Sequence, residues 1–303
     1  MESAVARKIR QSVETLAVWK RGDERAPHKP LLILWNLGRV QRGEDRMVLF
    51  RDAEPGLRRL LEEFGPPRKS IHPEYPFWHL QSDGLWEVME EKAAQAPRKS
   101  PTKKDLMDLE IQGGFPVEID AELRNHPALL SEIALRLLSG HFPESLHGDI
   151  LEAVGLRVAP WSGARQEAAP FRQQVLDAYG HACALCGYSV RLGRGDLALG
   201  AAHLRRRASG GADAVDNGLA VCAIHHKALD RGAVTLDAEL RILVSDSVEG
   251  ERGLEEWFLG LAGRRARIPE RPEWMPAEAH LTRHRKNVFR GSMDPPMHQS
   301  TSA

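Results

Sequence analysis

Apolar residues recur at helical spacing through most of the first half of the chain. Val5, Ile9, Val13, Leu16 and Ala17, followed by Trp19, predict an amphipathic helix over residues 2–19. After a polar break at 20–27, the stretch HKPLLILWNLGRV (28–40) predicts a largely buried helix, with Pro30 in a first turn that tolerates proline. Residues 47–50 (MVLF) predict a short strand, and 53–64 a helix stopped by Gly65-Pro66-Pro67. Between 68 and 91, Tyr75, Phe77, Trp78 and Trp86 crowd a segment broken by Pro73, Pro76 and Asp83-Gly84. That pattern predicts two strands, at about 77–81 and 85–89, with Trp78 and Trp86 in the core. Residues 92–104 predict a polar, mobile loop, and Gly113-Gly114 a turn. A helix over 119–138, broken at Pro127, and another over 144–154 complete this half.

Beyond 155 the pattern changes. GLRVAPWSGARQEAAP (155–170) has linker composition. Residues 171–180 predict a helix with Phe171, Val175, Leu176 and Tyr179 as its buried stripe. LALGAAHL (197–204) predicts a strand ending in His203, 209–218 a turn-rich loop, and AIHHKAL (223–229) a short helix closed by Asp230-Arg231-Gly232. A hairpin over 233–237 and 240–245 follows. A helix over about 277–290 would pack Leu281, Val288 and Phe289 on the preceding domain, and 291–303 reads as disordered. There are no internal repeats.

All three cysteines lie in 181–232. Cys183 and Cys186 form a C-x-x-C pair, and Cys222 and His225 a C-x-x-H pair about 35 residues on. Two such pairs can supply four tetrahedral ligands to one zinc ion. Four protein ligands leave no open position, so that ion would be structural. The odd cysteine number and the tight C-x-x-C speak against a disulfide framework. His203, Asn217 and His226 lie inside and beside this frame. Ligand spacing assigns His225 to zinc and leaves His226 for chemistry.

Ala201-Ala202-His203-Leu204, Gly210-Gly211, Asp216-Asn217-Gly218-Leu219, Cys222-Ala223-Ile224-His225-His226 and Asp230-Arg231-Gly232 together resemble the HNH (ββα-metal) nucleases over roughly 172–245. The resemblance implies metal-assisted phosphodiester hydrolysis. His203 would take a proton from water, Asn217 would orient its imidazole, and His226 would hold a divalent ion, magnesium or manganese. Many relatives carry an acidic metal ligand just before the first histidine. Here that position is Ala202, and Gly200 also lacks a side chain, so either Asp196 or Asp213 serves as second ligand or DNA phosphate and water hold most of the ion. A plainer alternative stays open: a zinc knuckle that only stabilises a binding module.

The first half carries a second resemblance. Pro27-His28-Lys29-Pro30-Leu31-Leu32, Tyr75-Pro76-Phe77-Trp78-His79-Leu80-Gln81, Asp83-Gly84-Leu85-Trp86 and Gly113-Gly114-Phe115 are similar to the sulfur-binding domain of restriction endonucleases that act on phosphorothioate-modified DNA. That resemblance implies a cup for sulfur from Pro27, Tyr75 and Pro76, with His79 at its rim. His28 and Lys29 would contact a neighbouring phosphate or a base edge, and the Gly113-Gly114 turn would let backbone approach the DNA.

The fold class expected is α+β: an N-terminal mixed α/β DNA reader (1–155), a linker (156–170), a ββα-metal domain with a structural zinc knuckle (171–250) and a C-terminal tail packed on it (251–303). The function implied is a modification-dependent endonuclease acting on phosphorothioated double-stranded DNA. The alternatives are an HNH nuclease reading another mark or sequence, and a non-cleaving reader with a zinc module. One HNH site cuts one strand at a time, which a homodimer would answer.

Composition adds limits. At 303 residues with 42% hydrophobic content, the chain has room for two globular domains. No apolar run reaches membrane-spanning length and no secretory signal opens the chain, so a cytoplasmic location is expected. The 42 basic and 42 acidic residues cancel, so any DNA footprint must be local. Arg205-Arg206-Arg207, directly after the expected base, reads as a phosphate contact, with Arg205 and Arg206 its first members.

Overall fold

The computed structural model describes residues 3–16, 20–21, 24–25, 27–95, 100–158 and 169–291. The expectations for Trp19, for most of the linker and for the chain beyond 291 fall outside the described residues. The chain divides into two compact units, Met1–Arg165 and Gln166–Ala303.

The first unit opens with α1 (Ala4–Glu14), started by Ser3, whose side chain accepts from the Ala6 N–H at 2.9 Å. A minimal ladder, β1 (Lys20–Arg21) with β2 (Glu24–Arg25), precedes α2 (His28–Gln41). Leu31, Leu32, Ile33, Leu34 and Leu37 are all buried, so α2 is apolar on most sides. It is the central helix, packed against α3 (Phe50–Phe64), α4 (Glu74–His79), α7 (Val117–Asn125) and α8 (Pro127–His141). A small antiparallel sheet sits beside these helices. Its strands β3 (Val48–Leu49), β4 (Glu87–Val88) and β5 (Gln112–Gly114) run in the order β3-β5-β4. Helices α5 (Glu90–Ala93) and α6 (Lys103–Asp108) lie between β4 and β5, and α9 (His147–Ala153) follows α8. The break at Pro127 is present: α7 ends at Asn125 and α8 starts at Pro127.

Two expectations for this unit are corrected. Residues 77–81 are not a strand but the end of α4 and a 3-10 turn over Leu80–Asp83. Pro76 sits in the first turn of α4, where its missing N–H breaks no helical bond, and Phe77 and Leu80 bury one side at helical spacing. Gly113-Gly114 is not a turn but the central strand, and both residues are buried. A Cβ on Gly113 would lie 2.6 Å from Trp86 Nε1, and one on Gly114 2.2 Å from the Arg46 carbonyl. These glycines therefore have a packing reason. Trp86 is core, as expected, edge-on to Phe77 at 5.3 Å and Phe115 at 6.2 Å. The expected loop over 92–104 begins in α5 and ends in α6.

In the second unit α10 (Ala169–Ala178) buries Phe171, Val175 and Leu176. The cysteine knuckle and a hairpin, β6 (Arg191–Leu192) with β7 (Gly195–Asp196), come next. Strands β8 (Leu199–His203) and β9 (Gly218–Cys222) pair antiparallel, from Leu199 opposite Cys222 to His203 opposite Gly218. Helix α11 (Ala223–Asp230) follows β9 directly and packs on both strands, giving a ββα unit. The next hairpin is present as β10 (Val234–Leu236) and β11 (Ile242–Val244), followed by α12 (Leu254–Trp257) and α13 (Glu278–Asn287). Leu281, Val288 and Phe289 are buried.

Candidate nuclease centre and DNA-reading surface

The knuckle and the start of α11 bring Cys183, Cys186, Cys222 and His225 together, their ligand atoms all within 4.8 Å of one another. Cys186 Sγ lies 4.0 Å from Cys222 Sγ, and His225 Nδ1 lies 3.6 Å from Cys183 Sγ and 3.2 Å from Cys222 Sγ. Sulfurs about 2.3 Å from a tetrahedral zinc stand about 3.8 Å apart, so the donors fit that ion. His225 Nε2 donates to the Trp257 carbonyl at 2.9 Å, which turns Nδ1 toward the thiols. Burial alone would lower the His225 pKa; the bonds to Cys183, Cys222 and Trp257 outweigh it and push it up to about 10. His226, the adjacent residue, is not part of the cluster.

His203 ends β8, with Phe171 stacked on one face at 4.0 Å between ring centroids. Its Nε2 lies 2.9 Å from Asp213 Oδ1. A carboxylate only accepts, so Nε2 carries the hydrogen and Nδ1 keeps a lone pair. Burial lowers the His203 pKa most, Arg207 lowers it further, and Asp213 opposes both; the net shift is downward. Asp213 also takes two bonds from Arg207, at 2.5 and 2.7 Å, which commits it to this corner.

Asn217 is fully buried and acts on the backbone rather than the ring. Its Oδ1 accepts from Arg205 N–H at 2.8 Å, its Nδ2 donates to the Arg205 and Ala212 carbonyls, and its own carbonyl accepts from Leu204 N–H. Those bonds lock the loop that follows His203. Gly211 is required there, because a Cβ would lie 1.8 Å from the Arg205 carbonyl.

His226 and Asp230 lie one turn apart on α11, with His226 Nε2 3.4 Å from Asp230 Oδ2. Asp230 is within electrostatic reach of His203, and a Cβ on Gly200 would sit 3.4 Å from His226 Nδ1. Asp230 was legible in the sequence only as a helix stop. Its spacing of four from His226 is the signal that marks it. Asp196 is engaged elsewhere, by His181 at 2.8 Å and Arg191 at 3.1 Å.

The end of α11 receives donors from distant segments. His284 Nε2 donates to the Leu229 carbonyl at 3.1 Å, Arg206 Nη2 to Asp230 at 2.5 Å, Arg290 Nε to Arg231 at 3.0 Å, and Arg290 N–H to Gly232 at 2.9 Å. His284 Nδ1 accepts from the Thr235 hydroxyl at 2.8 Å. Gly232 has φ +75°, and a Cβ there would meet the Val288 carbonyl at 1.9 Å. The expected phosphate contact by Arg206 is therefore corrected: its guanidinium caps a helix and its Nε is enclosed. Positive groups at a helix C-terminus are favourable, which explains the choice of residue. Arg205 Nε likewise turns back onto the Ser209 carbonyl, at 3.0 Å.

In the first unit, the start of α2 and helix α4 form one surface. Pro27 and His28 are half-buried, Pro76 is buried and Tyr75 is 49% exposed. His28 is lowered to about pKa 4 by burial first, then by Arg68 and His72, so it is a neutral hydrogen-bonding group at pH 7. Lys29 is held in an ion pair. Its ammonium lies 2.5 Å from Asp83 Oδ2, and both side chains are largely buried. His79 Nε2 lies 2.8 Å from Ser100 Oγ. His72 and Arg68 were missed in the sequence, although His72, Tyr75 and His79 follow a spacing of three and four.

A ββα unit carrying these two histidines beside a Cys/His knuckle defines the class: residues 183–237 match the HNH endonucleases, and this half of the chain is an endonuclease domain. Residues 6–170, more than half of the chain, match the family described as ScoMcrA-like, DNA sulfur-binding domain, and the chain belongs to that family. No curated protein matches it. Similar solved structures include the sulfur binding domain of ScoMcrA complexed with phosphorothioated DNA, at 23% identity and TM-score 0.42, covering 52% of this chain and 97% of that one. The corresponding domain of SprMcrA has 23% identity and TM-score 0.42, covering 50% and 94%. The type IV phosphorothioation-dependent restriction endonuclease ScoMcrA has 21% identity and TM-score 0.40, covering 59% of this chain and 39% of that one. No described helix is long and apolar enough to cross a membrane.

Proposed function

We propose that the protein is a restriction endonuclease that reads phosphorothioated double-stranded DNA with residues 1–155 and cuts it with residues 171–250. Residues 156–170 would join the two parts, residues 251–303 would support the nuclease, and the protein would work in the cytoplasm, as a homodimer when both strands are cut. The observation that carries the reading is the union, in one chain, of a sulfur-binding family match and a ββα unit holding His203, His226 and Asp230.

Sulfur on a phosphorothioate is larger and more weakly hydrated than oxygen. An apolar wall made by Pro27, Tyr75 and Pro76 would accept it, whereas a phosphate oxygen there would lose water without gaining a partner. That loss costs on the order of 1–3 kcal/mol. His28, kept neutral, would donate or accept a hydrogen bond at the neighbouring phosphate or base edge, and His79 would line the rim.

In the nuclease, the free Nδ1 lone pair of His203 would take the proton from the attacking water, while Asp213 and Phe171 hold the ring. Asn217 would position His203 through the loop it locks. His226 and Asp230 would hold a magnesium or manganese ion. Their 3.4 Å separation is close to the roughly 3 Å between neighbouring ligands of an octahedral ion at about 2.1 Å. When bound, that ion would supply charge stabilisation to the phosphorane and the leaving oxygen. Cys183, Cys186, Cys222 and His225 would hold a structural zinc.

The test is binding and cutting of two duplexes of one sequence, with and without phosphorothioate links, in magnesium or manganese. Selective binding and cutting of the modified duplex is expected, and His203→Ala should abolish cutting while binding remains. Equal treatment of both duplexes would remove the sulfur reader. Binding without cutting under either ion would remove the nuclease.

A further inference from the structure

Tyr75 is given a place above in the wall of a sulfur-accepting cup. It is also a ring in need of support: nearly half its surface is exposed, and exposed side chains ordinarily exchange rotamers within nanoseconds. Here the ring lies flat on His72, with centroids 4.7 Å apart and planes at 14°, while His79 tilts toward it at 6.4 Å.

His72 is itself held at both ring nitrogens. Nδ1 lies 2.8 Å from Glu74 Oε1 and Nε2 3.0 Å from Ser70 Oγ. The carboxylate only accepts, so Nδ1 carries a hydrogen, and the Ser70 hydroxyl meets Nε2 on the other side of the ring. Every polar atom of the imidazole is satisfied in one orientation. Glu74, which fixes that orientation, is only 6% exposed, and its second oxygen is buried with no partner. A bare buried oxygen is costly, and it calls for a compensating use.

We propose that His72 is a positioning residue of the DNA reader, anchored by Glu74 and Ser70 so that the Tyr75 ring stands in place before DNA arrives. The proposal rests on the sulfur-cup reading. A fixed wall keeps water from a phosphate oxygen in the cup and so maintains the penalty against unmodified DNA. A wall that swings admits water and relaxes the penalty, because discrimination depends on leaving the wrong ligand unsatisfied. Losing His72 should therefore reduce selectivity more than general DNA affinity.

The experiment measures affinities of the full-length, zinc-loaded protein for two duplexes of one sequence, with and without the phosphorothioate, with magnesium and manganese omitted to prevent cutting. His72→Ala should lower the modified-to-unmodified affinity ratio about three- to ten-fold, the size expected for one aromatic pair. The fall should come from tighter binding of the unmodified duplex, with affinity for the modified duplex staying within about two-fold of wild type on the same basis. His72→Phe keeps the flat ring and should restore most of the ratio. Ser70→Ala, which removes one anchor, should give a smaller fall and serves if His72→Ala proves unfolded by its thermal melt. An unchanged ratio in His72→Ala, an equal loss for both duplexes, or no rescue by phenylalanine would overturn the proposal while leaving the cup intact. If the wild type shows no preference, or Tyr75→Ala keeps it, the cup reading itself falls and this proposal with it.

Discussion

His284 makes a quantitative prediction about acid stability. It is fully enclosed between Thr235 and the end of α11. Burial is the main cause of its low pKa, and the nearby Arg206 guanidinium adds to it, bringing the value to about 3 against 6.5 for the free side chain. The folded protein therefore keeps His284 neutral, while the unfolded chain takes up a proton below about pH 6.5. The favourable contribution is complete above that pH and is lost progressively as pH falls from 6.5 toward 3. The slope is about 1.4 kcal/mol per pH unit, so about 2 kcal/mol disappears by pH 5. For a domain of this size that is a fall in Tm of about 4–8 °C. Thermal unfolding of wild type and His284→Gln, zinc-saturated in matched buffers from about pH 7.5 to 5, isolates the term, because acid release of zinc acts on both proteins. Glutamine can still donate to Leu229 but gives up the Thr235 bond. The variant should be less stable at pH 7.5 and should lose less on acidification. Parallel pH profiles would refute the reasoning.

Four further outcomes are expected. The acid limb of kcat/KM for DNA cleavage should fall below pH 6.5, since His203 is lowered by burial and by Arg207, and Arg207→Gln should move that limb upward; a pH-rate profile of both proteins decides it. Asp230→Asn should raise the manganese concentration for half-saturation at least about ten-fold, read by manganese titration without DNA, while the same change at Asp213 leaves it nearly unaffected. Cys183→Ser should abolish stoichiometric zinc and melt the second unit at lower temperature, as metal analysis and calorimetry would show. Gly113→Ala should destabilise the first unit by about 1–3 kcal/mol in chemical unfolding, because its Cβ would lie 2.6 Å from Trp86 Nε1.

The nuclease half was the more legible in sequence, for a physical reason. Its four Cys/His donors come as two local pairs, and β8, β9 and α11 adjoin along the chain, so short spacings convert directly into geometry. What escaped was direction. Nothing in the Arg205–Arg206–Arg207 run shows that Arg206 turns inward to a helix end formed 24 residues later. Asp230 looked like punctuation because an aspartate that closes a helix and one that faces a histidine a turn earlier read alike in sequence. In the first half, aromatic and proline content at 73–81 imitated a strand, whereas the burial of Phe77 and Leu80 on one side makes it helical. The Gly113-Gly114 pair imitated a turn because its true cause, the indole of Trp86 pressed against it, lies far away in sequence.

The cap on α11 has a practical bearing on how this nuclease can be transplanted. The recognisable HNH stretch stops at residue 237, and an engineer fusing it to another reader would be tempted to cut there. Such a cut would strip His284 and Arg290 from the carbonyls of Leu229, Arg231 and Gly232, one turn from His226. The helix bearing His226 would then fray from its far end. A portable version of this cutter must extend through Arg290, so its smallest useful part is larger than its signature.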